Sequence, residues 1–292
     1  MAEFHRYKVG DIEITVVPDG FRMVPVNSNY LINASAEDLA KALAAAGQPT
    51  DKMKNTYAPV VISTGGKKVL IDTGNGEAAS NESNGERGTM NANLKAAGLD
   101  RNSIDTVVIS HFHADHVNGL LMPDNSPAFP NAEIKVPEVE WKFWMDDGEM
   151  SRASKGRMTE LFANNRRVFD TLKRKVTPYA WDKEVAPGVM AVGTPGHSIG
   201  HTSYVVSSGG KTVYVQSDVC NNYAVFAPYP DWHGFFDQDP PKTAETRKRV
   251  YDMLVAEKML VQGFHYPFPS VAHVEKSGTG YREIPVLWNT AL

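Results

Sequence analysis

The sequence predicts an α/β protein in which loops at one edge of a sheet collect the functional side chains. Three observations favour this class. Runs rich in β-branched residues, such as residues 104–110, are interspersed with stretches of helical periodicity. Histidine and aspartate follow directly on several of these strand-like runs. No internal repeat of fixed period and no long low-complexity segment is visible, which disfavours a solenoid or a linker-rich chain.

Composition limits the classes of function. The 292 residues are 42% hydrophobic and 22% charged, enough to bury a sizeable core, and the formal net charge of -4 does not favour nucleic-acid binding. The single cysteine, Cys220, excludes an intrachain disulfide and leaves nitrogen and oxygen atoms to hold any metal. No signal peptide and no run of about 18 apolar residues is visible, so we expect a cytoplasmic protein that does not enter a membrane.

The first elements follow from local signals. Short β-branched runs predict strands at 6–9 and 12–18. Ser35 with Asp38 resembles a capping box that starts a helix over 36–46, and Gly47 ends it. Strands at 57–63 and 67–71 flank a Gly-Gly hairpin turn, a helix covers 89–97, and a strand covers 106–110.

The second half of the chain shows longer helices. Periodicity predicts one helix at 137–146, a longer one at 157–174 with one apolar face, and an amphipathic one at 242–258. The predicted strands are 189–192, 202–207, 212–216 and 259–262, followed by a final hairpin of 272–275 with 282–286.

The most informative segment follows the strand at 106–110. His111, His113, Asp115 and His116 place three imidazoles and a carboxylate within six residues. Without a ligand this cluster is costly to fold, whereas a divalent metal accepts neutral nitrogen and anionic oxygen together. His111 and His113 lie two apart and can share one ion, while Asp115 and His116 reach a second position.

Three further segments complete a pattern. His197 lies in a glycine-rich turn at 194–201, Asp218 ends a strand, and His265 begins a proline-rich turn at 263–269. In type and order these four segments resemble the metallo-β-lactamase superfamily from about residue 57 to the end. The resemblance implies an αββα four-layer sandwich with a dinuclear centre. It also implies a single domain over 1–292, in which residues 1–56 supply N-terminal strands and a helix and 137–176 form a helical insertion.

The resemblance also implies a role for each site residue. His111, His113 and His197 would bind the first metal, Asp115, His116 and His265 the second, and Asp218 would bridge them. Asp72 would orient ligands without being one, with a simple turn cap as the alternative, and His201 would support the site or pack beside it. We expect two divalent ions, zinc first, with manganese, iron, cobalt or nickel as alternatives.

The expected chemistry is hydrolysis. Two ions sharing a water lower its pKa, so that a bridging hydroxide attacks a carbonyl while Asp115 acts as the catalytic proton carrier. The segment at 263–269 resembles the methyl parathion hydrolase branch, near the quorum-quenching lactonases. This favours a lactone or small-molecule ester as substrate, with organophosphate triesterase activity as a side reaction. Aromatic residues expected to line the pocket are Trp141, Trp144, Tyr223 and Phe226.

Other readings remain open on the sequence alone. An iron-dependent redox enzyme of the sulfur dioxygenase type uses the same scaffold and is the main alternative. A catalytically silent scaffold is disfavoured, because such proteins usually lose ligands and all seven are present here. A nucleic-acid substrate is disfavoured because no basic groove is visible. Related hydrolases often dimerise, so a homodimer is an open alternative.

Overall fold

The computed structural model describes residues 4–27, 29–172 and 175–286. Within these residues the strands form two seven-stranded sheets and one two-stranded ribbon. In chain order the strands are β1 (His5–Val9), β2 (Ile12–Val16), β3 (Phe21–Pro25), β4 (Lys52–Thr56), β5 (Val60–Thr64), β6 (Lys67–Ile71), β7 (Thr106–Val108), β8 (Glu133–Pro137), β9 (Val176–Tyr179), β10 (Glu184–Ala186), β11 (Val189–Gly193), β12 (Thr202–Ser208), β13 (Lys211–Ser217), β14 (Leu260–Gly263), β15 (Val271–Ser277) and β16 (Gly280–Pro285).

Short and long helices separate these strands. The α-helices of the described residues are α1 (Ala36–Ala45), α2 (Ala78–Glu82), α3 (Met90–Ala96), α4 (Ala114–Val117), α5 (Glu138–Trp144), α6 (Asp147–Arg152), α7 (Arg157–Leu172), α8 (Tyr223–Phe226) and α9 (Pro240–Ala256). None of the helices in this part of the chain is both long and apolar enough to cross a membrane.

Each large sheet combines antiparallel and parallel pairs. The first sheet has the order β1-β2-β5-β6-β7-β8-β9, and its strands from β6 onward are parallel neighbours. The second has the order β10-β11-β12-β13-β14-β15-β16, in which β13 and β14 are parallel. The ribbon pairs β3 with β4.

Alternation of side chains along the strands explains the layers. In β5, Val60 and Ile62 pack between the two sheets, whereas Val61 packs against helices on the outer face. In β13, Val213 and Val215 face the first sheet and Tyr214 faces the helices behind the second. Helices α3, α5 and α7 cover the first sheet and α1, α8 and α9 the second. The predicted αββα sandwich is therefore confirmed.

Most predicted elements match within two or three residues. Ser35 and Asp38 form both bonds of the capping box, and α1 ends one residue before its predicted end. Helix α7 buries the predicted apolar face, and residues 173–174 of its predicted range lie outside the described residues. Helix α5 ends two residues before its predicted end at 146, because Asp146 accepts a hydrogen bond from the Glu149 amide and starts the separate helix α6.

Candidate metal centre

The ends of parallel strands bring the predicted ligands to one edge of the sandwich. In the first sheet Asp72 follows β6, and the segment that begins at His111 lies just beyond β7. In the second sheet Asp218 follows β13, and His265 lies two residues after β14. His197 lies in the turn that joins β11 to β12. The carboxyl ends of neighbouring parallel strands are a common place for ligand sites in α/β proteins.

Three imidazoles form the first group. The His113 Nδ1 atom lies 3.0 Å from His111 Nε2 and 2.8 Å from His197 Nε2, and all three side chains are buried. Ligand atoms from these residues are close enough together to hold one metal ion. Burial lowers the pKa of His111 and His113 well below the ordinary value, and neighbouring imidazoles lower it further. These two rings are therefore neutral, as metal ligands must be.

A second group lies beside the first. Asp115, His116 and His265 offer ligand atoms close enough for another ion. The Asp115 Oδ2 atom lies 3.5 Å from His265 Nε2 and 3.8 Å from His116 Nε2. Asp115 is the most exposed member and faces the cleft, whereas both histidines are buried.

Asp218 lies between the two groups. One carboxylate oxygen is 3.2 Å from His116 Nε2, and the other is 3.2 Å from His197 Nε2 and 3.1 Å from His265 Nε2. Burial alone would raise the pKa of the Asp218 carboxyl, but His265 and His116 hold it well below its ordinary value. An ionised carboxylate in this position is suited to bridge two cations.

Two buried atoms indicate that a cation fits this arrangement. His116 Nε2 and Asp218 Oδ1 face each other, yet neither has a hydrogen-bond partner among the described residues. Buried polar atoms without a partner are costly, and metal coordination removes that cost. Nitrogen and carboxylate oxygen atoms supply the whole set, and Cys220 is buried outside it. The residues present therefore fit a pair of divalent metals.

Asp72 contacts the cluster from behind. Its Oδ2 atom lies 2.8 Å from His116 Nδ1 and accepts from the Ser110 hydroxyl at 2.7 Å, and its Oδ1 accepts from the Ser110 amide. The bond to Nδ1 directs His116 Nε2 toward Asp218. Asp72 is also a turn residue with a φ of 60°, and its role in orienting a metal ligand stays a prediction.

His201 and Asp237 support the ligands from other sides. The His201 Nε2 atom accepts from the Asp218 amide at 3.0 Å, and its Nδ1 lies 2.8 Å from the Thr194 hydroxyl oxygen. Burial lowers the pKa of His201 to about 3, so this ring stays neutral. Asp237, which the sequence analysis missed, places its Oδ1 atom 2.9 Å from His197 Nδ1. No local pattern around Asp237 indicates this contact.

Glu140 joins the two ligand-bearing loops and was also missed. Its fully buried carboxylate accepts from the amides of Phe112 and Gly200, at 3.0 and 2.7 Å. The Ser198 hydroxyl and the Trp144 indole donate to the same carboxylate, at 2.6 and 2.8 Å. The loop of His111 and His113 and the loop of His197 are thus tied to one side chain of α5.

The cleft in front of the centre has a volume of about 330 Å³ and is not lined by the predicted aromatics. Trp144 and Phe226 are fully buried in the helical layers, so these two predictions were wrong. Trp141 packs edge-on against Phe169, and the Tyr223 hydroxyl accepts from Gln48 outside the cleft. The cleft is lined instead by apolar, amide and arginine side chains: Val24, Tyr30, Leu161, Phe235, Phe236, Asn55, Asn75, Asn221, Arg22, Arg87 and Arg157.

Comparison with known proteins agrees with this geometry. Residues 57–253 match the family described as the metallo-beta-lactamase superfamily, about two thirds of the chain. The chain belongs to the metallo-beta-lactamase superfamily. Among curated relatives, the N-acyl homoserine lactonase AiiA of Bacillus thuringiensis subsp. kurstaki is 25% identical over 169 residues. The chain spans 58% of the length of that relative, with 58% of its own residues matched.

Solved structures extend the likeness over the whole fold. AidC, described as a dizinc quorum-quenching lactonase in complex with a product, superposes with a TM-score of 0.90 at 22% identity and covers 98% of both chains. The hydrolase AbOPH gives a TM-score of 0.89 at 24% identity and covers 99% of both chains. At 22% and 24% identity, the likeness to these two structures shows the fold alone.

Metal affinity is expected to rise with pH. Burial lowers the pKa of the His116, His197 and His265 rings, but neighbouring carboxylates outweigh this effect. They raise the pKa of His116 and His265, and Asp218 and Asp237 raise that of His197 to about 9. Metal-free protein therefore holds protons on these rings that a cation must displace, and proton release on binding favours higher pH. Competition of zinc binding against a chelator of known proton affinity, from about pH 6 to about pH 9, measures this slope. An affinity independent of pH would contradict the expectation.

Proposed function

We propose that this protein is a dinuclear metal-dependent hydrolase that cleaves a lactone or other small ester. One observation carries the proposal: His111, His113, Asp115, His116, His197, Asp218 and His265, from four separate segments, converge in overlapping groups at the base of one cleft. Two divalent ions held there would supply Lewis-acid activation of a substrate carbonyl and of the water that attacks it. The N-acyl homoserine lactonases similar to this chain support a lactone as the substrate class.

The protein's own groups would serve the reaction at stated positions. The Asp115 carboxylate lies at the cleft surface, where it can take a proton from the attacking water and return it to the leaving alkoxide. The Asn221 amide donates to Asp218 Oδ2 at 2.8 Å and holds that carboxylate in place. Tyr30, Phe235 and Phe236 form an apolar wall against which an acyl chain can pack.

Metal removal is expected to abolish hydrolysis. Protein stripped with a chelator should lose turnover of N-hexanoyl homoserine lactone and 4-nitrophenyl esters, and about two equivalents of zinc, manganese or cobalt should restore it. The same preparation should melt at lower temperature without metal, because metal binds the folded state alone. Paraoxon turnover in this series tests the organophosphate side reaction.

Different outcomes of that series would favour different enzymes. Failure of all metals to restore turnover of lactone, aryl ester and paraoxon would overturn the hydrolase proposal. One iron per chain, with no second ion at saturation, would instead favour the iron-dependent redox alternative. Zinc as the native metal stays a prediction, and metal analysis of protein purified without added metal tests it.

The organisation of the whole chain belongs to the same proposal. We propose a single domain, because β1 and β2 from residues 1–56 join the first sheet and α5 to α7 from the segment at 137–176 cover its outer face. A cytoplasmic location, the absence of nucleic-acid and membrane partners, and a homodimer stay predictions. Cell fractionation and light scattering test the first and the last.

A further inference from the structure

Three arginine side chains line the cleft beside the metal-binding groups. Arg22 comes from the β3–β4 ribbon, Arg87 from the segment after α2, and Arg157 is the first residue of α7. The carboxylates in the same lining are Asp115 and Asp218, and both belong to groups that could hold a metal. If these two carboxylates bind metal ions, their negative charge is neutralised by the metals. The cleft lining then contains no other carboxylate that could pair with the arginines.

The surroundings of Arg157 differ from those of Arg87. Arg87 forms an ion pair with Glu82 at 3.4 Å. Arg157 is partly buried, and no carboxylate of the described residues lies within ion-pair distance of it, although Asp115 and Asp237 attract it from farther away. Its hydrogen bond is to a ring nitrogen, with Nη2 3.1 Å from His113 Nε2.

That hydrogen bond is incompatible with a metal on His113. The Nδ1 atom of this ring points at His111 and His197, the other members of the first ligand group. An imidazole that gives Nδ1 to a cation carries its proton on Nε2 and donates from there. A guanidinium has donors alone, so two donors would face each other in the metal-loaded protein. Arg157 then needs another acceptor within the cleft.

We propose that Arg157 is a specificity-determining residue that binds a carboxylate carried by the substrate. The inference rests on the proposed function and narrows it: the preferred substrate is an ester or lactone whose carboxylate lies a few methylene groups from the carbonyl that is attacked. The planar guanidinium matches a carboxylate through two parallel hydrogen bonds, and partial burial strengthens that pairing. Arg22, paired with Asn55 across the ribbon, adds positive charge at the same cleft.

Matched esters test the proposal by turnover. Mono-4-nitrophenyl adipate and pimelate carry a terminal carboxylate, and 4-nitrophenyl hexanoate and heptanoate are the uncharged esters of equal carbon number. The metal-loaded protein should prefer the charged member of at least one pair by about 10- to 100-fold in kcat/KM, mainly through a lower KM. Arg157→Gln should remove that preference, and Arg157→Lys should keep part of it.

The control variant is Arg152→Gln. Arg152 is exposed on the neighbouring helix α6, where it pairs with Glu149. It lies outside the cleft lining, so this variant should keep the preference for the charged ester. Circular dichroism and thermal melting establish that each variant is folded. If Arg157→Gln unfolds, the Arg157→Lys variant carries the test.

A binding measurement separates this inference from the proposed function. Titration calorimetry on metal-loaded protein compares adipate with hexanoate, which has the same number of carbons, one carboxylate fewer and no ester bond that the protein could cleave. Wild-type protein should bind adipate about 10-fold more tightly or better, and Arg157→Gln should reduce the two affinities to near equality. Equal affinities in wild-type protein, or a preference that survives in Arg157→Gln, would overturn the role of Arg157. If the protein turns over no ester but shows this binding pattern, the hydrolase proposal is overturned and the carboxylate-binding role of Arg157 is kept.

Discussion

Replacing Asp218 by asparagine is expected to reduce ester and lactone hydrolysis by about a thousandfold or more. The Asp218 carboxylate lies within 3.2 Å of imidazoles from three different loops, those of His116, His197 and His265. An amide has one oxygen and no charge, so it cannot serve both ligand groups. The amide nitrogen would also donate toward a ring or a cation, where an acceptor is required. Metal content should fall from about two ions per chain to about one or fewer.

Steady-state kinetics with metal analysis check this result. The matched control is Asp147→Asn, which removes an exposed carboxylate that pairs with Arg166 on the protein surface. That variant should keep its metals and its activity, because exposed ion pairs contribute little. Retention of more than about a tenth of wild-type kcat/KM by Asp218→Asn would argue against a bridging carboxylate.

The ligand-bearing segments could be predicted because their signals are local. His111 to His116 follow a short buried strand, and His197 and His265 lie in turns rich in glycine and proline, so each segment carries its own pattern. The carboxyl ends of neighbouring parallel strands, here β6 with β7 and β13 with β14, lie at the same edge of a sheet. The structure brings all seven predicted ligands together, and their assignment as ligands stays a prediction until metal is measured.

The supporting residues could not be predicted because their contacts are distant in sequence. Glu140 meets Gly200 across 60 residues, and Asp237 meets His197 across 40. Locally, Glu140 reads as a polar residue of an amphipathic helix. Its burial depends on a glycine at 200, where a Cβ atom would lie 2.5 Å from the Glu140 backbone nitrogen.

The prediction of which aromatic residues line the cleft was wrong for a related reason. Aromatics at helical spacing can face either the core or a cleft, and periodicity does not distinguish the two. Trp144 faces the core, because its indole donates to Glu140 inside the helical layer. The β3–β4 ribbon, which carries Arg22 into the cleft, pairs strands about 30 residues apart and shows little β-branched patterning.

Replacing Glu140 by alanine is expected to destabilise the fold by about 3–5 kcal/mol. Four donors converge on its carboxylate, from Phe112, Trp144, Ser198 and Gly200. Phe112 lies within the metal-binding segment 111–116, and the other three residues lie outside it. Alanine would leave each donor buried without an acceptor, at about 1–3 kcal/mol apiece before relaxation or water entry. Urea unfolding of the metal-loaded protein, followed by circular dichroism, measures the loss.

The contrast with a neighbour on α5 makes the measurement specific. Glu138 pairs with Lys142 on the exposed face, four residues along the helix, so Glu138→Ala should cost about 0.5 kcal/mol or less. Glu140→Gln keeps the shape but places an amide nitrogen against two of the four donors, and should fall between wild type and Glu140→Ala. Because Glu140 holds the loops of His113 and His197 together, both Glu140 variants should also bind the first metal more weakly, which Glu138→Ala should not. Equal stability of Glu138→Ala and Glu140→Ala would show that the ligand loops are held by their own packing and not by this carboxylate.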